Sequence, residues 1–227
     1  MKTIVKIIII LLLSVVILSD CALFGLLMTT DDDLFYEKQF KRQDIAEETG
    51  LDFDILMQVN DEVQDYLNAK RADLVVYAER YGENTLIFNK NEQSHMKDVR
   101  DLYSAFKWFG GGCVLFTLCV FYFIVRKKDR SLAGAVMSAC GGAFALPVLF
   151  VAFFDKAFVI FHHLFFEGDT WLFDPDTNII VNIYTWEFFI EFVTRVGVYA
   201  VAMGLIIFLS AAYFRREYRP EKEAGKK

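Results

Sequence analysis

The sequence predicts an all-α membrane protein with four transmembrane helices and a mostly helical extracytoplasmic segment between the first and second. Hydrophobic residues make up 55% of the 227-residue chain and mean hydropathy is +0.33, above ordinary globular usage. The charged 24% of residues fall in blocks between long apolar runs. A bilayer enforces that segregation, because a charge in hydrocarbon is costly unless specially housed. The net charge of −6 sums over two compartments and says little about partners. No basic patch with interleaved aromatics points to nucleic acid.

A helix needs about 20 apolar residues to cross the hydrocarbon core. The first run, Ile7 to Met28, is interrupted only by Asp20, and residues 1–28 form the first expected span. Leu18-Ser19-Asp20-Cys21 imitates a lipoprotein signal cleavage site. Asp20 is not small, however, and the apolar run continues past Cys21, so an uncleaved span is expected. The second span is 108–125, beginning at Trp108. The third is 132–154 and contains Pro147. The fourth is 191–214, with its charge-free stretch from Val196 to Phe214.

Orientation follows from basic residues in short connections. Lys2 and Lys6 precede the first span. Arg126, Lys127, Lys128 and Arg130 fill the loop 126–131. Arg215, Arg216, Arg219, Lys222, Lys226 and Lys227 mark the tail 215–227. Four spans put these three clusters on one side. Both termini are therefore expected in the cytoplasm, with segments 29–107 and 155–190 outside.

In the larger outer segment, Leu56, Val59, Val63, Tyr66 and Leu67 recur at helical spacing after Asp52 or Asp54. A short helix is expected over Ala72–Tyr81, ending at Gly82, and a short strand over Thr85–Phe88. A further helix starting near Asn91 or Ser94 should run unbroken into the second span. It carries His95, Val99 and Leu102 on one face, with Asp98 three residues from His95. The smaller outer segment, 155–190, reads as an aromatic interfacial loop with turns at Gly168, Asp174 and Pro175. Glu187, Glu191 and Arg195 follow at i, i+4, i+8, a supporting charge stripe on the fourth helix.

Chemistry concentrates outside. Cys21, Cys113, Cys119 and Cys140 all sit in apolar runs and read as small buried hydrophobes, with no disulfide or thiolate metal site expected. His95, His162 and His163, the chain's three histidines, all fall in the outer segments. Interfacial structure is one reading of them. General acid–base work is another, since imidazole titrates near neutrality. Metal binding by His162, His163 and nearby carboxylates is a third, disfavoured because adjacent histidines point apart and no HExxH spacing occurs. No GxSxG, no outer catalytic cysteine and no glycine-rich phosphate loop is present. A proton-coupled transporter would need ionisable groups at mid-membrane, where Asp20 is the sole candidate.

The string Phe161-His162-His163-Leu164-Phe165-Phe166, then Asp169-Thr170-Trp171-Leu172-Phe173-Asp174-Pro175, with Ser94-His95-Met96-Lys97-Asp98-Val99 before the second span, resembles the lipoprotein intramolecular transacylases of low-GC Gram-positive bacteria. The four-span topology with a large first outer segment extends the resemblance along nearly the whole chain. It implies an acyltransferase that moves the sn-2 acyl chain of a diacylglyceryl lipoprotein to the α-amino group of its N-terminal cysteine, giving a lyso-form lipoprotein. It also implies two outward-facing histidines, matched here by His95 and His162, with His163 a bystander. Thr185-Trp186-Glu187 stands where the family pattern leads one to expect a Pro-Glu pair before Phe188-Phe189. Gly168, Trp171, Glu191 and Arg195 are the candidates for substrate binding. Lipoprotein and membrane lipid are the partners implied, and no cofactor is called for. The transacylase reading requires His95 and His162 to meet in space; a separation beyond about 10 Å would exceed hydrogen-bond reach even through a water. The rival is a non-enzymatic membrane protein that binds a partner through its outer segment.

Overall fold

The computed structural model describes residues 3–168 and 170–219. Lys2, Asp169, Lys222, Lys226 and Lys227 lie outside the described residues. Helices α1 (Thr3–Thr30), α2 (Asp33–Arg42), α3 (Ile45–Thr49) and α4 (Phe53–Leu67) come first. A hairpin of β1 (Tyr77–Arg80) and β2 (Glu83–Leu86) follows. Then come α5 (Lys90–Lys127), α6 (Arg130–Ala152), α7 (Phe154–Phe165), α8 (Ile180–Ile183) and α9 (Trp186–Glu217). Helices α1, α5, α6 and α9 are long and apolar enough to cross a membrane.

The chain divides into two compact units. The first comprises Met1–Met28, Lys107–Ala152 and Thr194–Lys227. Its core is built largely from small side chains: Cys21, Ala133, Ala139, Cys140, Ala143 and Ala211 are all buried. Helices in lipid gain no hydrophobic drive from meeting, so close backbone approach through small residues supplies the packing. Gly25 shows how close that approach is. A Cβ there would lie 2.3 Å from the Val196 carbonyl oxygen. Asp20 is buried in the same unit and accepts the Thr117 hydroxyl at 2.5 Å, which houses the one acid of the first apolar run.

The second unit comprises Thr29–Phe106 and Phe153–Val193. Phe188 lies at its centre, with ring centroids 5.5 Å from Phe35, 5.7 Å from Tyr36, 6.1 Å from Phe40 and 5.3 Å from Tyr184. The face of α4 read from its spacing, Leu56, Val59, Val63 and Tyr66, is buried in this core. The unit also takes in Leu74, Val76, Ile87 and Phe88 from the flanks of the hairpin.

Two local expectations need correction. Ala72–Tyr81 is not a helix: its last residues form β1, paired Tyr77↔Leu86 and Arg80↔Glu83 with β2. Tyr81 and Gly82 both have positive φ, 52° and 82°, as a two-residue hairpin turn of the primed type requires. Gly82 thus marks a strand reversal rather than a helix stop. The first part of 155–190 is a helix, α7, not a loop; its i, i+4 ring contacts from Phe154 to Phe158 and from Phe158 to His162 run along one face. The helix expected to start near Asn91 or Ser94 is α5, which begins at Lys90 and runs unbroken to Lys127.

Substituting Gly25 with alanine should force the backbones at Gly25 and Val196 apart and lower stability by about 1–3 kcal/mol. Gly111 lies in a helix with open space around its Cβ position, so alanine there should be neutral or slightly stabilising. Thermal unfolding of the two purified variants in detergent checks both; equal melting temperatures would refute the close contact.

Candidate active site

His95 and His162 are brought together within the second unit, with ring centroids 6.2 Å apart and planes inclined by 21°. His95 stands early on α5, well ahead of the apolar stretch that begins at Trp108, and is 7% exposed. His162 is on the last turn of α7 and half-buried. Aromatic rings wall the pair. Phe166 lies 4.9 Å and Phe173 5.3 Å from the His95 ring. Phe158 lies 4.1 Å and Trp171 4.7 Å from His162.

The helix start that carries His95 is held by a reciprocal cap. Asn89 Oδ1 accepts the main-chain N–H groups of Asn91 and Glu92 at 2.9 and 3.1 Å. Glu92 Oε2 in return accepts the Asn89 N–H at 2.7 Å. Its other oxygen accepts the N–H of Ile180 at 2.9 Å and so fixes the start of α8. Glu92 is 1% exposed; burial pushes its carboxyl upward while these main-chain donors pull it down. Sequence reading missed Glu92, although the signal was there: Asn89-x-x-Glu92 is the capping-box spacing.

Burial and then the neighbouring His162 push the His95 imidazole from its ordinary 6.5 down to about 4, against a weaker upward pull from Asp98. Burial also lowers His162, with His163 adding to that and the Phe158 carbonyl opposing it. Both rings are therefore neutral at pH 7. The Phe158 carbonyl lies 2.7 Å from His162 Nδ1. A carbonyl only accepts, so Nδ1 carries the proton and Nε2 is left with the free lone pair. One of two neutral rings thus has its basic atom assigned.

The other candidates are distributed differently. Trp171 packs on His162, while His163 is exposed and meets Trp171 edge-on at 5.5 Å. Gly168 has φ of 66° and nothing within 4 Å of a Cβ position. Glu191 is held by Arg42 at 3.1 and 3.2 Å, a partner that i, i+4 spacing does not reveal. Arg195 belongs to the first unit, where its Nη2 donates to the Tyr199 hydroxyl at 3.3 Å. Among the described residues, no group of three or more His, Cys, Asp and Glu side chains is arranged to hold a metal ion.

The lowered His95 value has a direct consequence. Carbon-13 or nitrogen-15 NMR of the labelled histidines should show one ring still neutral at pH 5.5 and titrating near 4. The folded value lies below the unfolded one, so the stability contributed by His95 is full above pH 6.5 and is lost as pH falls through about 4. Titration of His95 near 6.5 would refute its burial as a neutral ring.

A family model described as lipoprotein intramolecular transacylase Lit matches residues 4–189. Among solved structures, the membrane-integral lipoprotein intramolecular transacylase Lit from Bacillus cereus is similar with a TM-score of 0.77 at 16% identity, covering 95% of this chain and 98% of that one. Two variants of the same Bacillus cereus protein, with a histidine replaced by alanine or by arginine, each give a TM-score of 0.74 at 17% identity over 94% of this chain, and 94% and 93% of theirs. No curated protein matches the chain. The family match spans most of the sequence, and the chain belongs to the lipoprotein intramolecular transacylase Lit family.

Proposed function

We propose that His95 and His162 carry the acyl transfer for which the family is named. They would move the sn-2 acyl chain of a diacylglyceryl lipoprotein to the α-amino group of its N-terminal cysteine. The observation that carries this reading is the meeting of two neutral imidazoles, one buried and one half-buried, 6.2 Å apart, from helices distant in sequence.

The chemistry needs one proton relay. The amine nitrogen attacks the ester carbonyl carbon, a C–N bond forms, and the C–O bond to the glyceryl oxygen breaks. One N–H proton must leave nitrogen and one proton must reach the glyceryl oxygen. His162 Nε2, whose lone pair is freed by the Phe158 contact at Nδ1, is the base that takes it. His95, unprotonated at neutral pH, acts as the relay partner rather than as a standing acid. Amine and ester belong to one substrate molecule, so proximity is supplied by that substrate, and no covalent enzyme intermediate is required. The basic clusters at 126–131 and 215–227 support placing this chemistry on the extracytoplasmic face, with both termini in the cytoplasm.

The test is mass spectrometry of a lipoprotein's N-terminal lipopeptide. The chain is expressed in a host that makes diacylglyceryl lipoproteins and does not N-acylate them. One acyl group should shift from glycerol to the cysteine amine with no change in total mass. His95→Asn and His162→Asn should each slow the shift by about 10²–10⁴-fold. An unchanged diacylglyceryl lipopeptide despite good expression of folded protein would sink the proposal and favour partner binding by the outer segments.

A further inference from the structure

Trp171 contributes more than a flat wall to the histidine pair. Its indole Nε1 is buried and has no hydrogen-bond partner among the described residues. The Thr170 hydroxyl oxygen, next in the chain, is in the same condition, as is His95 Nδ1. Buried polar atoms are nearly always paired, and an orphaned one in a folded protein calls for a reason. Three at one small stretch of the fold, two of them on rings that pack against or face His162, call for a shared one.

The chemical types of these atoms narrow that reason. An indole N–H can only donate, and a threonine hydroxyl can donate or accept. The missing partner of Trp171 is therefore an acceptor. Five rings surround His162, those of His95, Phe158, Phe161, Phe166 and Trp171. Apart from His95, only Trp171 among them carries a polar atom. Its centroid is 4.7 Å from that of His162, whose Nε2 faces the proton of the attacking amine in the reaction proposed above. The amine attacks the ester carbonyl carbon, so that carbonyl is brought beside the same ring.

As the C–N bond forms, the carbonyl π electrons move onto oxygen, and the weak acceptor of the ground state becomes an oxyanion. It collapses when the C–O bond to glycerol breaks and the relayed proton reaches the glyceryl oxygen. A fixed donor in a low-dielectric setting accelerates such a reaction because its bond strengthens only as that charge develops. We propose that the Trp171 indole N–H is the donor that binds the tetrahedral oxyanion of the acyl transfer, with the Thr170 hydroxyl as its neighbour. The assignment rests on the transacylase reading and adds to it the electrophilic half of the site.

The rival roles of Trp171 are a purely steric wall and a π-face that holds the substrate ammonium. Both need the ring, and neither needs the N–H. The test uses the full-length enzyme in detergent or vesicles with a synthetic diacylglyceryl lipopeptide. Two variants are compared with wild type: Trp171→Phe, and a chain with benzothienylalanine at position 171, where sulfur replaces the N–H in a ring of nearly the same shape. The expected result is a fall in kcat of about 10²–10³-fold in both, with KM held, as for loss of an oxyanion donor. Wild-type kcat in the benzothienyl variant would overturn the assignment, whatever Trp171→Phe does to folding. A raised KM with kcat intact would also overturn it and make the ring a ground-state contact. If folded wild type yields no N-acylated product, the transacylase reading itself falls and the oxyanion role with it. An active wild type beside an equally active benzothienyl variant removes the oxyanion role alone.

Discussion

The carboxylate of Glu92 is buried on the first turn of α5 and receives main-chain N–H groups from Asn89 and Ile180, one on each oxygen. A buried carboxylate is costly unless such donors surround it, so Glu92 draws both segments to itself. Asn89 adds a second tie between them, donating to the Thr177 carbonyl at 3.3 Å. One turn along α5 from Glu92 stands His95. A few residues before Thr177 stands Phe173, whose ring meets His95 edge-on. The residues that set the position of the His95 ring and of part of its wall are thus joined through the side chains of Glu92 and Asn89. Phe188 does comparable work deeper in the unit, collecting the rings of α2 around the start of α9.

The electrostatics follow from that enclosure. Aromatic walls desolvate both imidazoles and hold them neutral, and His162 further disfavours a charge on His95 as His163 does on His162. A neutral pair has no spare proton to give. The reaction it suits is one in which the proton that must reach the leaving group is the same one released by the nucleophile. Aminolysis of an ester within one molecule has that stoichiometry. The Phe158 carbonyl completes the arrangement by fixing the His162 tautomer, so the basic nitrogen is assigned by the helix that carries the ring.

How much of this was legible in the sequence differs by length scale. The apolar runs matched to α1, α5, α6 and α9 are long, and a run of that length has few alternatives. The continuity of α5 was legible for the same reason, since no proline interrupts it after Lys90 and the apolar run continues through Gly110-Gly111-Gly112. The hairpin was legible only in its second strand, since the strand expected over Thr85–Phe88 overlaps β2 while Tyr77-Ala78-Glu79-Arg80 has no strong strand composition and Gly82 serves equally as a helix stop or a turn residue. Helix α7 was not legible, because apolar and aromatic residues on every side from Phe158 to Phe165 hide the i, i+4 face that joins Phe154, Phe158 and His162. The histidine pair was singled out by its motifs and its resemblance to a family. Its 6.2 Å approach depends on tertiary contacts that no local spacing encodes. The capping box at Asn89 and Glu92 is the opposite case, a local pattern present in plain sequence whose second, long-range bond to Ile180 only the fold discloses.

A base able to take a proton from an amine can also take one from water, and the product would then be a free fatty acid rather than an amide. Selectivity for transfer must come from what reaches the carbonyl, not from the strength of the base. Two features act on that competition. The rings of Phe158, Phe166, Trp171 and Phe173 occupy the space around the imidazoles that water would otherwise fill, which lowers the local activity of the competing nucleophile. The substrate supplies the other, because a tethered amine acts at an effective concentration of about 10⁵–10⁸ M in well-oriented cases, far above that of any water left in the site. The protein therefore has no need of a covalent nucleophile to protect the acyl group. On the roles proposed for His162, His95 and Trp171, it needs a dry, rigid cradle in which base, relay and oxyanion donor are already in place when the substrate folds back on itself.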